Sequence, residues 1–132
     1  MPFLFAVAVA PADIDDLGHA SNLVYLRWVQ EAARAHSTAC GLGREDYLAR
    51  GEAFVVRRHE IDYLRPAFAG DQLTVETRVA EMGRASSLRK TRILRGAEVL
   101  ATAATDWAYI DLGRGRAIRI PEDVRARFPV EP

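Results

Sequence analysis

Four stretches in the second half of the chain, Phe54 to Leu64, Gln72 to Val79, Ser86 to Leu94 and Glu98 to Asp111, read as long strands. Only turn signals separate them: Pro66 to Asp71, Gly83-Arg84 and Arg95-Gly96. Connections this short join antiparallel neighbours. The clearest alternation sets Leu73, Val75, Thr77 and Val79 against Thr74, Glu76 and Arg78, one apolar face and one polar. The run from Glu98 to Asp111 would span about 45 Å at about 3.3 Å per residue, longer than most strands, which implies a sheet that curves.

Ahead of these strands lies one helical stretch. Asn22 to Ala39 holds no proline or glycine, and Leu23, Leu26, Val29 and Ala33 recur at helical spacing. Cys40-Gly41-Leu42-Gly43 supplies the stop, since glycine adopts the left-handed conformation that ends many helices. Ala32, Ala33, Ala35 and Ala39 keep the second half of the helix slim, as suits a helix closely wrapped by a sheet. Phe3, Phe5, Val7 and Val9 alternate as a further strand, closed by Pro11. Arg44 to Arg50 suits a short helical turn. The tail from Gly113 adds a small edge strand at Ala117 to Ile120 and a short helix at Pro121-Glu122-Asp123, with proline in the first position. The expected class is α+β: a curved antiparallel sheet of five or more strands with one long helix on a face.

At 132 residues and 49% hydrophobic content, residues 1–132 make one ordinary domain with its own core. Its 18 basic and 18 acidic residues cancel, so no global field draws it to nucleic acid or to anionic lipid. Any anionic ligand must be met by a local patch. Cys40 is the single cysteine, which excludes an internal disulfide framework and fits a reducing compartment. No stretch approaches the roughly 20 apolar residues of a membrane span. The apolar start lacks the basic region of a signal peptide, so the expected setting is the cytoplasm.

Asp13-Ile14-Asp15-Asp16-Leu17-Gly18-His19-Ala20-Ser21-Asn22-Leu23-Val24-Tyr25 packs three carboxylates, a glycine, a histidine and an asparagine into the approach to the helix. Helix capping by acids accounts for one carboxylate, at roughly 0.3 to 1 kcal/mol, and leaves the rest unexplained. This stretch resembles the motif D-x-D-x-x-G-(H)-x-x-N-x-x-Y of the hotdog-fold acyl-CoA and acyl-carrier-protein thioesterases of the 4-hydroxybenzoyl-CoA thioesterase type. His59-Glu60-Ile61-Asp62-Tyr63-Leu64-Arg65-Pro66-Ala67 followed by Gly70-Asp71 is similar to that family's second strand and its turn. The likeness covers about residues 5 to 111, and the element order agrees with a hotdog sheet wrapped around one helix.

The resemblance implies hydrolysis of an acyl-CoA or acyl-carrier-protein thioester, with Asp15 as the catalytic carboxylate, acting as nucleophile or general base. His19 matches the histidine that assists in the plant acyl-carrier-protein branch, while Leu17 stands where that branch has an asparagine. Thioester cleavage needs a carboxylate and donors facing the developing oxyanion. The free N–H groups of Asn22, Leu23 and Val24 at the helix start are candidates for those donors. Gly18, Tyr25 and Arg84 join the substrate-binding set, Arg84 as a contact for a coenzyme phosphate, and Asn22 also suits the helix N-cap. Arg57, Arg58, Arg65 and Arg89 read as a solvated face. Glu31 lies two turns into the helix. His59 and Glu60 point to opposite faces of a strand and cannot share an ion, so no metal is expected. Cys40 reads as a buried small residue without activation.

The family resemblance implies a homodimer or homotetramer with sheets joined edge to edge, which would also cover long strand edges. No cofactor is expected beyond the coenzyme carried by the substrate. Two other functions fit the same fold: an enoyl-thioester hydratase or dehydratase, and a non-catalytic acyl-thioester-binding module.

Overall fold

The computed structural model describes all residues from Met1 to Pro132. Strand β1 (Phe3–Ala8) leads through a 3-10 turn (Pro11–Asp13) to helix α1 (Asn22–Ala39) and helix α2 (Arg44–Arg50). Strands β2 (Glu52–Tyr63), β3 (Gln72–Met82), β4 (Ser86–Arg95) and β5 (Glu98–Asp111) follow, then β6 (Arg116–Ala117) and helix α3 (Glu122–Arg125). The order across the sheet is β1-β3-β4-β5-β2, with β6 beside the end of β5, and every pairing is antiparallel. This is the hotdog arrangement expected from the sequence. β2 forms one outer edge.

Register shifts at Val56/Arg58, Val79/Glu81 and Ile93/Leu94 bend the long strands, because an extra residue on one strand increases the local twist. They let the fourteen residues of β5 stay paired while the sheet curls. The curved face closes on α1. Trp28, Val29 and Ala32 are almost wholly covered and pack with Leu73, Val75, Ile93 and Leu100 in the larger core. The alanine stripe is buried at Ala32 and Ala33, whereas Ala35 is only partly covered and Ala39 is exposed. The sheet therefore grips the middle of α1 and releases its end.

The tail does more than edge a sheet. Its strand is confined to Arg116–Ala117, short of Ile120, and Pro121 is the N-cap of α3 instead of its first residue. Ile120, Val124 and Phe128 are buried against Leu42, Val79 and Tyr109 in a second core. This second core plugs the end of the half-barrel beyond α1. No helix is long and apolar enough to cross a membrane.

Candidate active site

The loop between β1 and α1 is folded back on itself. An isolated bridge joins Ile14 to Ala20, the Asp15 amide donates to the His19 carbonyl at 3.0 Å, and the Gly18 amide donates to the Asp15 carbonyl at 3.1 Å. Gly18 sits at φ +84°, a left-handed conformation that side chains disfavour, and nothing else crowds the space a Cβ would take. The glycine is thus required by the turn. The turn in turn aims Asp15.

The three acids separate by role. Asp13 is only 6% exposed; one carboxylate oxygen accepts the Ala10 amide at 2.9 Å and the other takes the Arg27 guanidinium at 2.9 Å. Its carbonyl also accepts the Ser21 amide, so Asp13 ties the loop to the helix. Asp15 has a third of its side chain exposed, at 34%. Its Oδ1 accepts the Leu17 amide at 2.9 Å, while Oδ2 has no hydrogen-bond partner. One oxygen is anchored and the other is free to react. Asp16 is exposed.

His19 faces Asp15 with Nδ1 3.9 Å from Oδ1, too far for a direct hydrogen bond and close enough for one bridging water. The imidazole edge meets Phe68 at 6.4 Å between centroids. His19, Asn22, Tyr25, Tyr63, Arg65 and Pro66 line a cleft of about 240 Å³ at the helix start. Tyr25 is buried, stacks on Trp28 and donates its hydroxyl to the Arg65 carbonyl at 3.1 Å. Burial raises its pKa above the ordinary tyrosine value. It holds the strand connection to the helix. The Tyr63 hydroxyl reaches the Asn22 carbonyl at 3.3 Å, a contact that only the second motif, His59 to Ala67, could have suggested.

At the helix start the cap is Ser21, correcting the expectation of Asn22: its Oγ accepts the Leu23 amide at 3.2 Å. The Val24 amide donates to the Ser21 carbonyl at 2.9 Å. Two of the three amides expected to face an oxyanion are therefore occupied. The Asn22 amide is left without an acceptor, and it lies beside the cleft. The side chain of Leu23 is exposed and that of Val24 is in the core.

Arg84 is not part of this constellation within one chain. It lies beyond the end of β3 opposite to the active-site loop, which abuts the start of β3 through β1, so roughly 35 Å of strand intervenes. Arg89 departs furthest from expectation. The sequence groups it with the solvated arginines, whereas it is buried under α1 with 6% exposure. Alternation along β4 gave the signal, since Ser87, Arg89, Thr91 and Ile93 share one face. Glu31 pairs with Arg27 on the helix surface. His59 turns inward to Thr105 at 2.9 Å, and Glu60 turns outward to Arg58. Cys40 is partly covered, and burial raises its pKa above the ordinary thiol value.

The family model described as the thioesterase-like superfamily matches residues 9–128. The chain is 32% identical over 127 residues to an acyl-CoA thioesterase, YbgC, of Haemophilus influenzae, covering 96% of this chain and 93% of that protein. It is 23% identical over 118 residues to a chloroplastic acyl-acyl carrier protein thioesterase of Arabidopsis thaliana, covering 88% of this chain and 62% of the relative. Among solved structures, a 1,4-dihydroxy-2-naphthoyl-CoA thioesterase from Synechocystis superposes with a TM-score of 0.88 at 22% identity, covering 96% of this chain and 95% of the other.

Proposed function

Because this chain belongs to the thioesterase-like superfamily and is an acyl-CoA thioester hydrolase, we propose that Asp15 carries out the cleavage at the start of α1. The observation that carries the assignment is the state of that carboxylate: Oδ1 is held by the Leu17 amide, Oδ2 is unoccupied, and a third of the side chain is open to solvent beside His19, which lines the cleft. Either role open to the carboxylate balances. As nucleophile, Oδ2 bonds to the acyl carbon, the C–S bond breaks to release the thiolate, and water then hydrolyses the mixed anhydride. As general base, Oδ2 takes a proton from water as the water oxygen attacks the same carbon; the tetrahedral adduct then collapses with loss of the C–S bond, and the departing thiolate takes up that proton, leaving the acid and the free thiol. In both cases the negative charge on the carbonyl oxygen is met by the Asn22 amide at the positive end of α1. His19, whose Nδ1 lies 3.9 Å from Asp15 Oδ1, assists the carboxylate in this reading.

Supporting a homo-oligomer is the twelve-residue edge of β2, which a second copy would cover by continuing the sheet. In such an assembly any contact of Arg84 with the coenzyme nucleotide comes from a second chain. The reaction uses no cofactor apart from the coenzyme A of the substrate, and the lone cysteine suits a cytoplasmic setting. An acyl-carrier-protein substrate is a further possibility supported by the distant plant relative. A thiol-release assay over short, long, branched and aromatic acyl-CoAs, run beside Asp15→Asn, tests the assignment. Retention of full activity by the variant on the best substrate would overturn it.

A further inference from the structure

A second and larger cleft, of about 770 Å³, opens between the C-terminal half of α1, α2 and the sheet, well away from Asp15 along the helix. Thirteen of its twenty lining residues are hydrophobic, among them Leu42, Phe54, Val56, Val79, Trp107 and Phe128. Its charged residues are all of one sign: Arg34, Arg44 and Arg89 line it, and no aspartate or glutamate does. Arg89 is the buried one.

The surroundings of Arg89 leave its charge unanswered. Its Nη1 donates to His36 Nδ1 at 2.8 Å and to Thr77 Oγ1 at 3.2 Å. Arginine can only donate, so His36 accepts and carries its proton on Nε2, as a neutral ring. Burial first, then the adjacent guanidinium, holds the His36 pKa down to about 4. The acidic groups that bear on Arg89 are Tyr47 and Cys40, both pushed up by burial and uncharged at neutral pH. Glu131 bears on His36 and is itself taken by the N-terminal ammonium. Nε and Nη2 of Arg89 have no hydrogen bond and are not sealed from solvent, so their donors open on the cleft that Arg89 lines. Trp107, two residues along the neighbouring strand from the partner of Arg89, lines the same cleft with its Nε1 buried and unpartnered.

Burying a cation without a counter-charge is costly, and a protein that keeps one against an open apolar cleft gains when an anion arrives. We propose that this cleft binds a carboxylate-bearing amphiphile, its apolar body along Phe54, Val56 and Val79 and its carboxylate in the fork of Arg89. A planar carboxylate matches the two free donor atoms of the guanidinium, and the mostly apolar lining suits an aliphatic body better than a nucleotide. Two sources share this chemistry. One is a free acid, the class of product that thioester hydrolysis releases; the other is the far end of an acyl group that bears a terminal carboxylate.

Calorimetric titration of the whole protein with dodecanoate and with dodecanol tests the site without any turnover, so its result is separate from that of the hydrolysis assay. The acid should bind more tightly by roughly 10- to 100-fold, the strength of a charge-assisted hydrogen bond, and Arg89→Met should abolish that preference. Relief of the buried charge should keep the Tm of the variant at or above that of the parent. Equal binding of acid and alcohol to the parent, or an undiminished preference in Arg89→Met, would overturn the proposal. If Arg89→Met does not fold, Trp107→Phe serves instead: the fluorescence change on dodecanoate binding to the parent should vanish in that variant, and its persistence would place the acid elsewhere and overturn the proposal. The source is read from kcat/KM: a terminal-carboxylate acyl-CoA exceeding its plain counterpart, with the gain lost in Arg89→Met, assigns the acyl end, and the reverse order with inhibition by dodecanoate assigns the free acid.

Discussion

Asp13 and Asp15 differ by two positions and by almost everything else. The first is buried and bonded on both oxygens; the second is anchored on one and exposed. Substitution should therefore split them. Asp15→Asn keeps the acceptor for the Leu17 amide, so Tm should hold while kcat falls by roughly 100- to 10,000-fold if general-base action is the whole role. Asp13→Ala strands the Ala10 amide and the Arg27 guanidinium, which should lower stability by about 1–3 kcal/mol, read by urea denaturation. Were Asp13→Ala to abolish turnover at full stability, the division of roles would be reversed. The motif marked both aspartates and left their roles open, because spacing along a loop does not state which carboxylate faces inward.

At the scale of the element, the loop and the helix start form one device. Gly18→Ala meets no clash, so its cost is purely conformational, about 1 kcal/mol for a left-handed residue. Any relaxation of the turn moves Asp15 relative to the Asn22 amide, and kcat should fall more than Tm suggests. Ser21→Ala removes the cap of the Leu23 amide and should lower stability by about 1 kcal/mol, measurable by thermal denaturation. The limits of α1 and of β5 were legible in the sequence, since long uninterrupted periodicity and glycine or proline boundaries are local signals. The cap was misplaced by one residue because serine and asparagine compete equally for that position until the backbone is known. The burial of Arg89 is not legible from charge alone, because the direction of its side chain depends on the face to which β4 turns.

For the whole molecule, acid stability should follow histidine as well as carboxylates. An unfolded chain takes up a proton at His36 near pH 6.5, whereas folded His36 stays neutral down to about 4. Throughout that window the unfolded state binds more protons, so stability falls as pH drops from about 6.5 to about 4. Burial lowers the pKa of His59 as well and adds to the same slope. His36→Gln, which retains an acceptor for Arg89, should flatten the Tm profile between those limits. Light scattering should give a mass of two or four chains of 14.6 kDa each; a monomer would remove the proposed role for the β2 edge. Read alone, the sequence determined the class, the element order and the loop that holds Asp15, because periodicity, turn residues and a short motif are properties of neighbours along the chain. Tertiary structure alone decided that the tail plugs a second core, that Asp13 binds while Asp15 is free, and that Arg89 stands uncompensated beneath α1. Each of those depends on burial and on partners dozens of residues away, and so on how the sheet curls.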